Sequence, residues 1–378
     1  MTDLDADRPP ADLRSDPPAD RPDPPARPPA LHDVGRVAGV SHQTVSRVLN
    51  GHPNVRPETR DRVLAAITDL GYRRNTAARA LVTRRSAIIG VITTGSPHFG
   101  PTSTFLSVES AARDAGYFVS VASVRTQDRP SLVAMLDHLV GQAVEGIVVI
   151  APQDFAAEAV AEAAGHLPTV VIANAPGRTG VVQVSVDQFA GAELAVGHLI
   201  DGGRRRVAHI SGPMDWFDAA ARAAGWRARL DRAGLVRGTL VPGDWSAASG
   251  YRGAISLLGA GLPDAVFAAN DEMALGVLRA FREYGVRVPD DVAVVGFDDV
   301  AGSAFFDPPL TTVRQEFEAL GGLAVRSLRD RLASGRPAPP DSPTMSGSLK
   351  IRPSLIVRQS SGPSGRRLRG SEMIGHRL

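Results

Sequence analysis

Between Ala87 and Asp298 one pattern repeats eight times: a run of apolar, mostly β-branched residues of strand length. AIIGVIT, YFVSVASV, GIVVIAP and TVVIA form a first group, and VVQVSV, RVAHISG, DAVFAAN and VAVVGFD a second. A strand with one face in water alternates apolar and polar residues. These runs barely alternate, so they read as strands buried on both faces. The stretches 102–115, 129–142, 218–233 and 272–284 have helical period, which makes the sheets parallel and covered by helices. Two consecutive groups of about 100–130 residues each predict two α/β lobes. Ligands of such folds sit beyond the carboxyl ends of the strands. Asn270, Asp271, Asp298 and Asp299 follow two of the runs and are therefore placed for a site.

Upstream of Ala87 the texture differs. Residues 1–30 hold nine prolines and no apolar period, and read as a disordered tail. From Leu31 the pattern is helical. A first helix covers 31–38, Gly39-Val40 turns, and Ser41 caps a second helix that turns Val45, Val48 and Leu49 inward. Pro57 opens a third helix, since proline at the first helical position loses no hydrogen bond. Val63, Leu64 and Ile67 form its apolar stripe, and Gly71 ends it. The sum is a helix-turn-helix with a supporting helix.

The outer face of the second helix carries Ser41, His42, Gln43, Thr44, Ser46, Arg47 and Asn50. Solubility alone asks only for charge there, whereas these heads each make directional hydrogen bonds. Charge points the same way: residues 31–85 hold ten arginines against Asp33, Glu58, Asp61 and Asp69, a net of +6. A basic segment of this kind implies a polyanionic partner. A recognition helix enters the DNA major groove by its N-terminal turn. Gln pairs bidentately with adenine and Arg with guanine, so His42, Gln43 and Arg47 are candidate base readers. Ser41, Thr44 and Ser46 suit phosphate oxygens or caps. An ordinary capped surface helix is the alternative. Downstream, Asn75–Leu81 has good helix formers but is too short to be a stable helix alone. Arg73, Arg74, Arg79, Arg84 and Arg85 surround it, so it reads as a linker that turns helical when those charges are neutralised.

Other functions lack their signatures. With 43% apolar and 22% charged residues the chain reads as globular and soluble. No run approaches the ~18 apolar residues of a membrane span, and no hydrophobic signal core opens the chain. Cysteine is absent, which excludes disulfides and thiolate zinc sites. The simplest location is cytoplasmic. There is no phosphate-binding or dinucleotide loop, no zinc-protease motif and no nucleophile elbow. Asp298-Asp299 is a carboxylate pair, but adjacent strand residues point to opposite faces. No catalytic residue, metal or cofactor is expected.

The segment DVGRVAGVSHQTVSRVLNGHPNVRPETRDRVLAAITDLGYRRNTAARAL (33–81) resembles the DNA-binding headpiece and hinge of the LacI/GalR repressor family. GDWSAASG (243–250), ANDEMALG (269–276), VVGFDD (294–299) and DPPLTTVRQEF (307–317) continue the likeness to about residue 358. It implies a headpiece and hinge helix over 31–85, a two-lobed domain like the periplasmic sugar-binding proteins over 86–358, and a second disordered tail over 359–378. It implies a regulator of transcription, a homodimeric repressor released from palindromic operator DNA by a sugar or glycoside. By resemblance, His42, Gln43 and Arg47 read bases, Asn75–Leu81 including Arg79 is the hinge helix, and Leu81 is the minor-groove wedge. Trp245, Asn270 and Asp298 match sugar-binding positions and Gln315 lies near them. The alternative for Trp245 is core packing, and for Asp298 a helix cap or a structural salt bridge.

The departures carry expectations too. Gly35 and Arg56 replace a helix former and a capping serine. A family arginine that grips sugar hydroxyls falls on Ala220 in this register, leaving Arg222 about 200° round the helix. Asn174 stands where an aspartate is usual, and Trp216 adds an aromatic. The pocket is thus expected to differ from those of sugar-responsive relatives. The C-terminal GPSGRRLRGSEMIGHRL lacks apolar heptads, so no coiled-coil tetramer is expected. Two other classes stay open: a binding protein without DNA affinity, and a glycosidase.

Overall fold

The computed structural model describes residues 27, 29–73, 85–124, 129–153, 167–175, 181–334 and 348–362. The chain divides into two compact units, Met1–Ala78 and Arg79–Leu378. The hinge segment Asn75–Leu81 lies outside the described residues, as do residues 1–26 and 363–378.

The first unit has three helices: α1 (Leu31–Ala38), α2 (His42–Leu49) and α3 (Pro57–Asp69). The sequence cues act as read. Ser41 caps α2, its Oγ accepting from Thr44 N at 3.2 Å, and Gly39 turns the chain at φ 65°. Val34, Ala38, Val45, Val48, Val63 and Ala66 form the core. One expectation fails: Leu64 is 48% exposed. The inward stripe of α3 runs through Val63, Ala66, Ile67 and Leu70, the i, i+3, i+4, i+7 set, and Leu64 lies one residue, about 100°, outside it. Gly35 also has a use beyond its propensity cost. A Cβ there would stand 2.8 Å from the Val40 carbonyl oxygen, so glycine lets the turn lie against α1.

The second unit contains two parallel sheets. In lobe 1 the order is β11-β5-β4-β3-β1-β2, from β1 (Ile88–Thr93), β2 (Phe118–Ser123), β3 (Gly146–Ile150), β4 (Thr169–Ile172), β5 (Val182–Val186) and β11 (Ser348–Ile351). Helices α4 (Phe99–Asp114) and α10 (Phe317–Ser334) cover one face, and α5 (Arg129–Gly141) the other. Strands β3 and β4 are buried at every position, which is what their unalternating runs require. β5 is buried throughout although Gln183 and Ser185 alternate with its valines, and it joins the sheet of lobe 1 instead of opening the second group, where the sequence placed it. In lobe 2 the order is β7-β6-β8-β9, from β6 (Val207–Ser211), β7 (Leu240–Pro242), β8 (Ala265–Ala268) and β9 (Ala293–Val295). Here α6 (Gln188–Asp201) and α7 (Phe217–Arg232) pack on one side, with α8 (Ala247–Ala260) and α9 (Asp271–Glu283) on the other.

The chain passes between the lobes three times: from β5 into α6, from β10 (Thr312–Arg314) into α10, and from β11 into β12 (Ser354–Ile356), which pairs antiparallel with β10. The lobe does not end at residue 358 as the resemblance implies. Ser360 is fully buried, its N donates to Pro309 O, and its Oγ donates to Val294 O while accepting from Thr311 N. Composition hides this: a serine beside Gly362 reads as tail until tertiary contacts give its hydroxyl buried partners. At the other end Ala30 is already the cap of α1, its N donating to Asp33 Oδ2 at 2.9 Å.

Candidate functional site

Two separate surfaces carry the residues singled out by the sequence. On α2, His42, Gln43 and Arg47 are exposed, with Thr44 and Ser46 half-buried. The hydroxyls partly serve the helix itself: Ser41 Oγ lies 3.1 Å from Thr44 Oγ1, and Asn50 Nδ2 donates to Ser46 Oγ. That leaves the long heads of Gln43 and Arg47 projecting where the fold makes no use of them for packing. Arg56, the residue before α3, makes no side-chain cap and is exposed. Asn75, Arg79 and Leu81 lie outside the described residues.

The second surface is the cleft between the lobes, and its centre is a chain of buried polar groups. Arg222 Nε donates to Gln188 Oε1 at 2.9 Å, and Gln188 Nε2 donates to Gln315 Oε1 at 2.8 Å. Gln315 Nε2 then donates to Asp298 Oδ1 at 2.7 Å, and Arg222 Nη2 stands 3.7 Å from that same oxygen. The four residues close a ring. Gln188 stands on the first crossing and Gln315 on the second, so the ring ties two crossings to α7 and to the loop after β9. Arg222 also donates to the Ala269 carbonyl and lies 3.8 Å over the Phe297 ring. Burial pushes its pKa down, opposed chiefly by Asp298. Burial pushes the Asp298 carboxyl up to about 7 despite Arg222. Burial likewise raises Asp218 and lifts Asp271 to about 6.

This corrects the reading of α7. Arg222 does not swing away from the site: it shares the buried stripe with Ala219, Ala223 and Trp226, while Ala220 is only half-buried. The guanidinium is therefore present, because α7 turns Arg222 and not Ala220 to its inward face. Gln188 was missed altogether. Its one signal was a polar residue at the start of α6, immediately after the capping Asp187.

Asn270 is 6% exposed, and both ends of its amide are engaged: Oδ1 accepts from Met273 N at 2.8 Å, capping α9, and Nδ2 donates to Trp245 O at 3.0 Å. Trp245, with φ 72° and 5% exposure, packs in the lobe 2 core beside Trp216, their ring centroids 5.7 Å apart. Its Nε1 is buried without a hydrogen-bond partner among the described residues, as is Ser185 Oγ.

A cavity of about 470 Å³, open solvent at its mouth included, adjoins the ring. Asn174, Trp216 and Gln315 line it, joined by Ser185, Gln188 and Asp218, which the sequence did not single out. Trp245, Asn270, Asp298 and Arg222 stand behind this wall rather than in it. At its lip the lobes touch: Phe217 N donates to Pro152 O at 3.0 Å, and Gln153 Nε2 to Asp215 Oδ2 at 2.6 Å. Among the described residues no cluster of three His, Asp or Glu could hold a metal, and no helix is long and apolar enough to cross a membrane.

Known proteins match both surfaces. Residues 30–75 match the family described as bacterial regulatory proteins, lacI family, and residues 196–361 match the periplasmic binding protein-like domain. The chain is 34% identical over 337 residues to the lactose operon repressor of Escherichia coli (strain K12), spanning 89% of this chain and 91% of that one. A lac repressor dimer bound to operator and the anti-inducer ONPF is similar in structure, with TM-score 0.78, 33% identity, and coverage of 89% and 99%. So is a complex of the transcriptional regulator CelR with cellobiose, with TM-score 0.65, 32% identity, and coverage of 88% and 99%.

Proposed function

This chain belongs to the lacI family of bacterial regulatory proteins, and from that membership we propose a transcriptional repressor released from a palindromic operator by a small neutral carbohydrate. It is a regulator and not an enzyme, as its relatives are, and works in the cytoplasm where the DNA is. The observation that carries the reading is Gln43 and Arg47 exposed on a capped α2, in a chain whose other unit holds a cleft lined by amides, a hydroxyl and Trp216. On DNA, Gln43, Arg47 and His42 read base edges, and Ser41, Thr44, Ser46 and Asn50 meet phosphates. Asn75, Arg79 and Leu81 form the hinge contact by family resemblance.

In the cleft, Asn174, Gln315 and Gln188 offer amide donors and acceptors to hydroxyls. Trp216 covers an apolar sugar face. Trp245, Asn270, Asp298 and Arg222 hold that wall in place from behind. The mechanism follows from the ring's position. A ligand that takes hydrogen bonds from Gln188 or Gln315 competes with bonds that tie two crossings together. It therefore binds the two lobe arrangements with different affinity, which is the only way a ligand shifts such an equilibrium. A homodimer matches the two half-sites of a palindrome.

Selection of binding sites from a random duplex pool tests this, followed by titration of the chosen duplex with cellobiose, lactose and ribose. Enrichment of a two-fold symmetric site whose binding one of these sugars weakens is expected. Recovery of no sequence preference would defeat the repressor reading.

A further inference from the structure

The chain enters lobe 1 through a tightly tied corner that the site described above does not use. Arg85 and Ser86 follow the segment 74–84 and precede Ala87, whose φ of 55° lies in the left-handed region. An alanine resists that conformation, because its Cβ crowds the backbone there. It persists only where surrounding bonds over-determine it. The bonds are present. Ala87 N donates to Glu145 Oε1 at 2.8 Å, and Ala87 O accepts from Phe118 N at 2.8 Å. Ile88 O accepts from Glu145 N at 2.8 Å. Arg85 adds its side chain, Nη2 donating to Glu145 Oε2 at 3.0 Å and to Tyr117 OH at 2.8 Å.

All these partners belong to the starts of β2 and β3. Glu145 directly precedes β3, and its carboxylate receives donors from both the main chain of Ala87 and the side chain of Arg85. Its side chain is 13% exposed, against 63% for that of Arg85. The exposed Arg–Glu pair contributes little stability by itself. The bond to Ala87 N is different, because it holds a strained residue at a chain corner.

We propose that Glu145, with Tyr117, is a positioning site that fixes residues 85–87 to lobe 1, so that movement of lobe 1 is delivered to the segment 74–84 and the DNA-binding unit beyond it. Without the anchor, Ala87 N and the Arg85 side chain lose their hold on lobe 1, and residues 85–87 add their slack to the segment before them. Lobe 1 then moves without pulling on it. The inference rests on the reading that a cleft ligand controls DNA binding, and adds the place where that control leaves the lobe.

The test uses the full chain, the duplex selected by the wild type, and cellobiose, lactose and ribose as probes. The wild-type Kd for the duplex should rise about tenfold or more with a responsive sugar, an ordinary allosteric coupling. In Glu145→Ala, and more mildly in Tyr117→Phe, the rise should shrink to about threefold or less. Calorimetry should show the sugar Kd of the variants unchanged within about twofold, a result that damage to the cleft would not give. Variants that keep the full wild-type response overturn the anchor. A wild type that responds to none of the sugars overturns the effector reading instead, and the anchor is then judged by amide exchange at Ala87 in the sugar-free protein. Slow exchange that Glu145→Ala makes fast supports it, and fast exchange in the wild type, or slow exchange that survives the substitution, overturns it.

Discussion

Arg222 and Asp298 stand 3.7 Å apart in the interior of the second unit, too far for a hydrogen bond, and are joined instead through Gln188 and Gln315. A buried pair at that separation does not recover its desolvation cost in full. The carboxyl accordingly sits high, at about 7.

The raised pKa predicts how stability depends on pH. An acid whose folded pKa exceeds its unfolded value, here 3.8, binds more protons when folded. Its contribution is complete below about 4 and is lost as pH rises through about 7. Asp271, raised to about 6, adds to the same loss at lower pH. Asp298 by itself contributes a decline of at most about 1.4 kcal/mol per pH unit. Buried His209, lowered to about 4, partly offsets it as pH rises to about 6.5, so the difference between wild type and Asp298→Asn isolates Asp298. Asp298→Asn should flatten the decline and should be the more stable protein at pH 8. Urea melts at pH 5, 6, 7 and 8 decide. An unchanged slope would mean the carboxyl is already ionised throughout.

Gln188 links the two ends of the ring, so Gln188→Leu leaves the Arg222 Nε and the Gln315 Oε1 without those partners. Losing a buried partner costs about 1–3 kcal/mol. Equilibrium unfolding should show a loss of that size, together with a changed response to sugar. A variant as stable as wild type would show that these groups find other partners.

On α2 the prediction separates reading from attraction. Gln43→Ala and Arg47→Ala should each lose about 1–3 kcal/mol of discrimination at one base pair of the selected duplex. Arg56→Ala should weaken every duplex alike and flatten the dependence on salt. Competition binding with single-base variants tells the two apart. If Gln43→Ala weakened all duplexes equally, α2 would not be the helix in the groove.

Residues 363–378 carry no apolar heptads, so a chain of this sequence should assemble as a dimer. Light scattering should give about 80 kDa, twice the chain mass of 39.7 kDa. A tetramer that persists after removal of residues 363–378 would contradict this.

Local signals determined every element whose cause is local. Ser41, Gly39 and Pro57 act within a turn of their own positions, so α1, α2 and α3 were legible, with Leu64 the one residue assigned to the wrong face. Most of the β-branched runs likewise declared parallel strands covered on both faces, but β2 is an edge strand with Phe118 69% exposed, and β5 joins the sheet of lobe 1, because strand order is set by the tertiary fold. The exposure of Gln43 and Arg47 was legible for a local reason: polar heads off the apolar stripe of a short helix stay in solvent, where packing does not reassign them. The cleft obeyed other rules. Whether Arg222 or Ala220 faces inward depends on how α7 rotates against the sheet, and neighbouring packing sets that rotation. Gln188 and Gln315 lie 127 residues apart and meet only because two crossings run side by side. Ser360 looked like tail until Val294 of β9 and Thr311 offered its hydroxyl partners. A hydrogen bond between distant residues leaves no periodicity in the chain, since its two ends are constrained only after the fold has brought them together.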